Sequence, residues 1–257
     1  MFIRFDPRRQ RFSVDDTKIS PASGLSTRWL LHALEETRPY AKGKLLDVGC
    51  GAKPYKEFFG AKEHIGIDWP NSLHRMDVEV FASGEALPFV DNSFDTVLCT
   101  ELIEHLKDPQ VAVQEMARVL KPGGYLILSA PFVHELHEQP FDFFRYTALG
   151  LCSVVERAGL LPVSIYPRGG VGTVLVDVSS RALLSSVRSV LRRFPGGRRI
   201  GNIVIFPLVK WPQALFSQIA IARTQKIWKA GSYNGLETPS RLSLGHVIVA
   251  QNPVEAI

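Results

Sequence analysis

Short apolar runs alternating with amphipathic stretches restrict the fold of this chain more than any other feature. Lys44-Leu-Leu-Asp-Val48 is stopped by Gly49-Cys-Gly51, the pattern of a buried strand entering a tight turn. Residues 64–68 (HIGID), 94–99 (FDTVLC) and 125–130 (YLILSA) repeat that pattern. Between the last two, Asp108 and Pro109 have the positions of a helix N-cap and a first-turn proline. Val113, Met116, Ala117 and Leu120 follow at helical spacing, and Lys121-Pro-Gly-Gly124 is expected to end the helix. Further helices are expected over 27–37 and over 147–159, the latter with Leu151, Val154, Val155 and Ala158 facing inward and Gly159 as its cap. Residues 161–166 and 243–251 read as two more strands. Strands alternating with helices imply an α/β, doubly wound, mostly parallel sheet with ligands at the carboxyl ends of its strands.

With 46% hydrophobic and 21% charged residues in 257, disorder and collagen-like or coiled-coil architecture are excluded. Cys50, Cys99 and Cys152 lie far apart without a CxxC or Cys/His pairing, so neither a disulfide scaffold nor a metal site is expected, and a reducing compartment is. The start, MFIRFDPRRQ, lacks an apolar signal core, and a cytoplasmic chain is expected. Its net charge of +5 is unevenly spread: from Val178 to Leu236 there is no Asp or Glu, but ten Lys or Arg. That stretch carries +10, which leaves −5 on the remainder, so it is read separately.

The turn after the first parallel strand carries the strongest chemical signal. Gly49 and Gly51 let a backbone approach a ligand, but Lys53 and Pro54 stand where a dinucleotide site would place its third glycine. Asp47 would repel a phosphate and suits an ammonium. Asp68 ends the next strand about 20 positions beyond the turn, where a carboxylate accepts both hydroxyls of a ribose. The two carboxylates select an amine-bearing nucleoside without phosphate.

Taken in order, LLDVGCG, GIDW, GEALPF-DNSFD, ELIEHL-DP, RVLKPGGYLILSAPF and FRYT resemble the class I S-adenosylmethionine-dependent methyltransferases, in the type-11 methyltransferase-domain group, from about Leu45 to Gly159. The resemblance implies a Rossmann-like seven-stranded sheet whose last strand is antiparallel, with S-adenosyl-L-methionine as cofactor. It implies that Asp47, Gly49 and Gly51 hold the methionine end, Asp68 the ribose, and Trp69 the adenine face. Glu85, Ala86 and Leu87 would form the adenine end, and Thr100 with Glu101 the wall after the fourth strand. Ser83 stands where many relatives have an Asp for the adenine amine.

After Ser129-Ala-Pro131, the loop over 132–146 is dense in His, carboxylate and aromatic side chains, and the topology puts it at the ligand edge. His137, and next His134, are the candidate catalytic bases for a hydroxyl acceptor. His105, next to Glu104, reads first as structural and second as active-site wall. Four regions are expected: an N-terminal segment and cap helix (1–40), the cofactor-binding core (41–170), a basic apolar helical insertion (171–240), and the closing strand and tail (241–257). In the insertion a helix over 174–193 would place Arg181, Arg188 and Arg192 opposite Leu183, Val187, Val190 and Phe194. Residues 203–222 form an apolar segment broken by Pro207, Lys210 and Pro212. Two readings stay open: peripheral membrane contact through 174–229, or a packed helical lid. Arginines interleaved with aliphatics rather than stacking aromatics argue against nucleic acid as partner. The reading is a methyltransferase of a small-molecule or lipid-linked sugar acceptor at the inner membrane face, because the loop resembles members of cell-surface polysaccharide pathways. The alternatives are methylation of a quinone, isoprenoid or other small metabolite, or a non-catalytic S-adenosylmethionine-binding regulator.

Overall fold

The computed structural model describes residues 3–6, 11–14, 21–70, 77–191, 193–194, 206–229 and 241–254. Two short strands, β1 (Ile3–Asp6) and β2 (Arg11–Val14), pair antiparallel ahead of helix α1 (Pro21–Thr37). The main sheet contains β3 (Lys44–Val48), β4 (Glu63–Asp68), β5 (Val80–Phe81), β6 (Phe94–Thr100), β7 (Leu120–Pro131), β8 (Leu161–Pro167) and β9 (Gly245–Gln251). Its seven strands run in the order β5-β4-β3-β6-β7-β9-β8. All neighbouring pairs are parallel except those of β9, which is antiparallel to both β7 and β8. The α/β, doubly wound, seven-stranded sheet with an antiparallel last strand is the architecture expected.

Alternation along the strands feeds two cores. Leu46, Val97, Leu126 and Leu128 point to the face covered by α3 (Pro109–Val119) and α4 (Ala148–Arg157), where Val113, Met116, Leu151 and Val155 are fully buried. Leu45, Leu98, Ile127 and Val249 point the other way, onto Leu30, Leu31 and Leu34 of α1 and Phe58 and Phe59 of the one-turn helix α2 (Lys56–Phe59). The caps read from the sequence are present: the Asp108 carboxylate accepts from the Val111 N–H at 3.3 Å, and the Thr147 hydroxyl from the Gly150 N–H at 3.0 Å.

Three local readings change. Lys121-Pro-Gly-Gly124 is not a turn between helix and strand but part of β7, which pairs Leu120 with Phe94 and then Tyr125 with Thr96. Residues 121–124 are thus an irregularity opposite Asp95, and a Cβ on Gly124 would lie 3.0 Å from the Asp95 carbonyl. β5, two residues long, had no sequence signal of its own. The apolar segment expected to break at its prolines is instead a continuous helix, α6 (Phe206–Lys229), with Pro212 inside it.

The insertion packs on the core. Val174 of α5 (Val171–Leu191) and Phe216 and Ala220 of α6 meet Leu25 and Trp29 of α1 and Leu244 beside β9. Val171, Leu175 and Val178 of α5 and Leu215 and Ile219 of α6 remain exposed. Arg192 and the arginines at 198 and 199 fall outside the described residues, and among the described residues no helix is long and apolar enough to cross a membrane.

Candidate active site

Reversal of the strand order places a crevice between β3 and β6, at the carboxyl ends of the parallel strands. The cleft there has a volume of about 510 Å³. Gly49 and Gly51 line its floor at φ +72° and +50°, in the left-handed region where a side chain is strained. A Cβ built on Gly51 meets nothing within 4 Å, so the turn leaves open space for a ligand. The turn is held from behind by the buried Lys53, which bonds the Glu79 carboxylate, while Glu79 also accepts from the Gly66 N–H at 2.6 Å.

Asp68 lines the cleft. Its carboxylate accepts from the Gly51 N–H at 2.8 Å and from the Trp69 N–H at 2.7 Å, which fixes its orientation and leaves lone pairs for two vicinal hydroxyls. Trp69 lies at the mouth in edge-to-face contact with Phe141, ring centroids 5.6 Å apart. Ser83, Gly84 and Glu85 form the opposite end, where the Ser83 hydroxyl accepts from the Glu85 N–H.

Other expected contacts are redistributed. Asp47 is buried and bonds His64 Nε2 at 3.1 Å; burial raises its carboxyl above the ordinary value despite that imidazole. The carboxylate that faces the cleft beside the glycine turn belongs instead to Glu101, at φ +51°. Thr100 does not line the cleft, because its side chain bonds Tyr55 on the other side of the strand. Ala86 and Leu87 do not line it either: Leu87 is buried, and its N–H donates to Glu115 at 2.9 Å.

Glu101 is the centre of a network that sequence reasoning missed. Arg168, itself buried just after β8, donates to Glu101 Oε2 at 2.6 Å and also bonds the Ser26 hydroxyl of α1, and Ser129 donates to Glu101 Oε1 at 2.9 Å. Burial pushes the Glu101 carboxyl up, but the charge and hydrogen bond of Arg168 outweigh it and hold the group below the usual carboxylate range. The signal available for Arg168 was its position before Gly169-Gly170 at the carboxyl end of a strand.

The loop after β7 supplies the other wall. His105 and Glu138 line the cleft, whereas His134 and His137 stand behind them, the rings of 105 and 137 in contact at 4.8 Å and those of 134 and 137 at 4.7 Å. The Asp142 carboxylate accepts from the His137 N–H at 2.8 Å and lies 3.2 Å from His137 Nδ1, and Arg145 clamps the same carboxylate. Burial pushes the His134 imidazole down to about 4, so it is neutral at pH 7 and a poor base. Glu104, fully buried, has no hydrogen-bond partner on either oxygen among the described residues, and burial together with the Glu101 charge raises its carboxyl well above the ordinary range. Arg181 of α5 is turned inward: it bonds Asp177 at 2.6 Å and Glu135 of the loop at 2.8 Å, so it ties the insertion to the site instead of standing on a solvent-facing stripe.

A carboxylate at the second strand end, an exposed indole beside it, an open glycine turn and a neutral polar far end fit an adenosyl group with a sulfonium amino acid. The fold and the cleft resemble those of class I S-adenosylmethionine-dependent methyltransferase domains. Residues 46–128 match the model of the type-11 family described as "Methyltransferase domain". An uncharacterized methyltransferase of Mycobacterium sp. (strain JLS) is 34% identical over 50% of this chain and 52% of its own length. The ubiquinone biosynthesis O-methyltransferase of Paracidovorax citrulli is 31% identical over 46% of this chain and 62% of its own length. The chain thus spans between half and two thirds of the length of these relatives. Among solved structures, phosphoethanolamine N-methyltransferase 2 of Haemonchus contortus, bound to S-adenosylhomocysteine, shares the fold with a TM-score of 0.50 at 17% identity, over 90% of this chain and 53% of that one.

Proposed function

We propose that the protein methylates a hydroxyl oxygen on a small acceptor borne by an apolar carrier. S-adenosylmethionine supplies, when bound, an electrophilic methyl on a sulfonium. The residues that would hold it are Asp68 at the ribose, Trp69, Ser83, Gly84 and Glu85 around the adenine, and Gly49, Gly51 and Glu101 at the amino-acid end. Displacement at a methyl demands alignment of the acceptor, exclusion of water and, for a hydroxyl acceptor, a base that takes its proton, the role that falls to His137.

The observation that carries the reading is the rim. Phe141, Phe143 and Phe144 are each about two-fifths exposed next to the His105–His137 pair, and Val171, Leu175 and Val178 of α5 add exposed apolar side chains in the element that Arg181 ties to the same loop. Aromatic faces suit the apolar face of a ring, whether sugar or quinone, and exposed aliphatics suit its carrier or a membrane interface. The lead reading is a polyprenyl-linked sugar at the inner membrane face, which rests on the likeness of the loop to polysaccharide-pathway members. The second is an isoprenoid quinone, favoured by the similarity to a ubiquinone biosynthesis O-methyltransferase. Methyl-labelled S-adenosylmethionine incubated with the protein and a host extract, then partitioned, separates them. Label in glycolipid supports the first and label in quinone the second. Label in aqueous metabolites or RNA, or none above an Asp68→Ala control, overturns the proposal.

A further inference from the structure

Behind the cleft wall, one ligating atom from each of Glu104, His105 and His137 lies within 4.8 Å of the other two. His105 Nδ1 lies 2.6 Å from the Phe141 carbonyl, which can only accept, so that nitrogen carries the proton and the lone pair is on Nε2. The same argument applies to His137, whose Nδ1 meets two acceptors, the Asp142 carboxylate at 3.2 Å and the Glu135 carbonyl at 3.3 Å. Two imidazoles are therefore locked in the tautomer that presents Nε2 as a ligand, one through a backbone carbonyl and one through a carboxylate. These are the outer partners that metal-bound histidines ordinarily have. His105 Nε2 faces Glu104 Oε1 at 3.7 Å and Glu138 Oε2 at 3.9 Å.

Glu104 supplies the independent observation. Its side chain is fully buried and both oxygens lack a hydrogen-bond partner, an arrangement that is costly unless a cation or donor meets it. Among the described residues no side-chain donor does so. We infer that Glu104, His105 and His137 form a binding site for one divalent transition-metal ion, at the acceptor side of the methyl-donor cleft. Two imidazole nitrogens and one carboxylate oxygen are a donor set for zinc or a similar ion, and they leave coordination positions open. Because His105 and Glu138 line the cleft, an open position would face it and could take an oxygen of the acceptor. The sequence, read from its cysteines, led to the expectation of no metal; the cluster has no CxxC-like spacing because its third ligand comes from a different loop. The role assigned to the ion rests on the O-methylation reading, while the site itself does not.

The test is titration of the chelator-treated full chain with Zn²⁺ by calorimetry, and with Co²⁺ by visible absorption, without donor or acceptor. The expected result is one ion per chain, and Co²⁺ bands of a coordinated ion. His137→Ala and Glu104→Gln should each weaken binding by about tenfold or more. His137 is partly exposed, so its alanine variant should fold even if the Glu104 variant does not. S-adenosylmethionine binding to His137→Ala, measured alongside, should be retained. Absence of stoichiometric uptake, or uptake unchanged in His137→Ala, overturns the inference. A metal-binding chain that transfers no methyl label overturns the functional reading alone.

Discussion

Arg168 and Glu101, 67 residues apart in sequence, join the ends of β8 and β6 through a 2.6 Å ion pair beneath the cleft wall. The guanidinium is almost wholly buried, so removing its counter-charge strands a cation in the interior. Glu101→Gln should cost about 3 kcal/mol at pH 7, read by denaturant unfolding. The Glu101 carboxyl is held low in the folded state, so the pair stabilises the fold above the unfolded carboxylate value of 4.5. That contribution is lost as pH falls through the folded value. The wild type should therefore lose stability more steeply than Glu101→Gln as pH falls from 4.5 to the folded value, and parallel acid curves would count against the pair.

Asp68 serves two functions, since its carboxylate both orients the Gly51 and Trp69 amides and faces the cleft. Asp68→Asn keeps an acceptor toward one amide, whereas Asp68→Ala keeps none. The alanine variant should weaken S-adenosylmethionine binding by about 2 kcal/mol or more, some 30-fold, and the asparagine variant by less. Calorimetric titration with the donor, with circular dichroism as a fold control, checks the order of the two.

Gly49 combines φ +72° with a built Cβ only 2.9 Å from Leu102 Cδ2. Leu102 lines the cleft, so relief of that clash must move a cleft side chain. Gly49→Ala should cost about 1–2 kcal/mol from the backbone alone, and lower Tm by about 5 °C. Gly51→Ala has comparable backbone strain but open space, and should instead reduce donor affinity at a similar Tm cost. Equal donor affinities in the two variants would contradict this division.

Features carried by local chemistry were legible before the structure: the caps at Asp108 and Thr147, the buried runs of β3, β4, β6 and β7, and the glycine turn with Asp68 beyond it. Each is decided by neighbours within a few residues. What was not legible depends on distant partners. Asp47 looked like a ligand residue, but its fate is set by His64 on the adjacent strand, and of the two residues expected at the wall Glu101, at a positive φ, lines the cleft while Thr100 does not. Arg168 had no motif, since it pairs across three elements, and Glu104, although it lies within ELIEHL, had no role there, since its state is set by burial and not by its neighbours in sequence. The helix through Pro212 shows packing against α1 overriding a local breaker.

The link from Arg181 to Glu135 predicts that α5 controls loop order rather than donor binding. Arg181 is mostly buried and anchored by Asp177, so its hold on Glu135 is geometrically defined. Glu135 itself is exposed, which limits the stability at stake. Arg181→Met should leave donor affinity unchanged and raise the rate of limited proteolysis over residues 132–146. Proteolysis unchanged from wild type would separate the insertion from the loop.

Exposed aliphatic side chains on α5 and α6 predict the behaviour of the protein toward lipid. Val171, Leu175 and Val178 fall at helical spacing on α5, as do Leu215 and Ile219 on α6, and the +10 stretch from Val178 to Leu236 follows directly on the first two without an acidic residue after Asp177. Apolar insertion and attraction to anionic headgroups act together in that arrangement. The protein should float with vesicles containing anionic phospholipid, and Leu175→Asp with Leu215→Asp should reduce the bound fraction about tenfold without change in Tm. Added salt should weaken binding only in part, because the apolar component is not screened. Binding abolished by salt and indifferent to the two aspartates would reduce the contact to surface charge. Absence of flotation under any condition would leave these side chains as the walls of a packed lid.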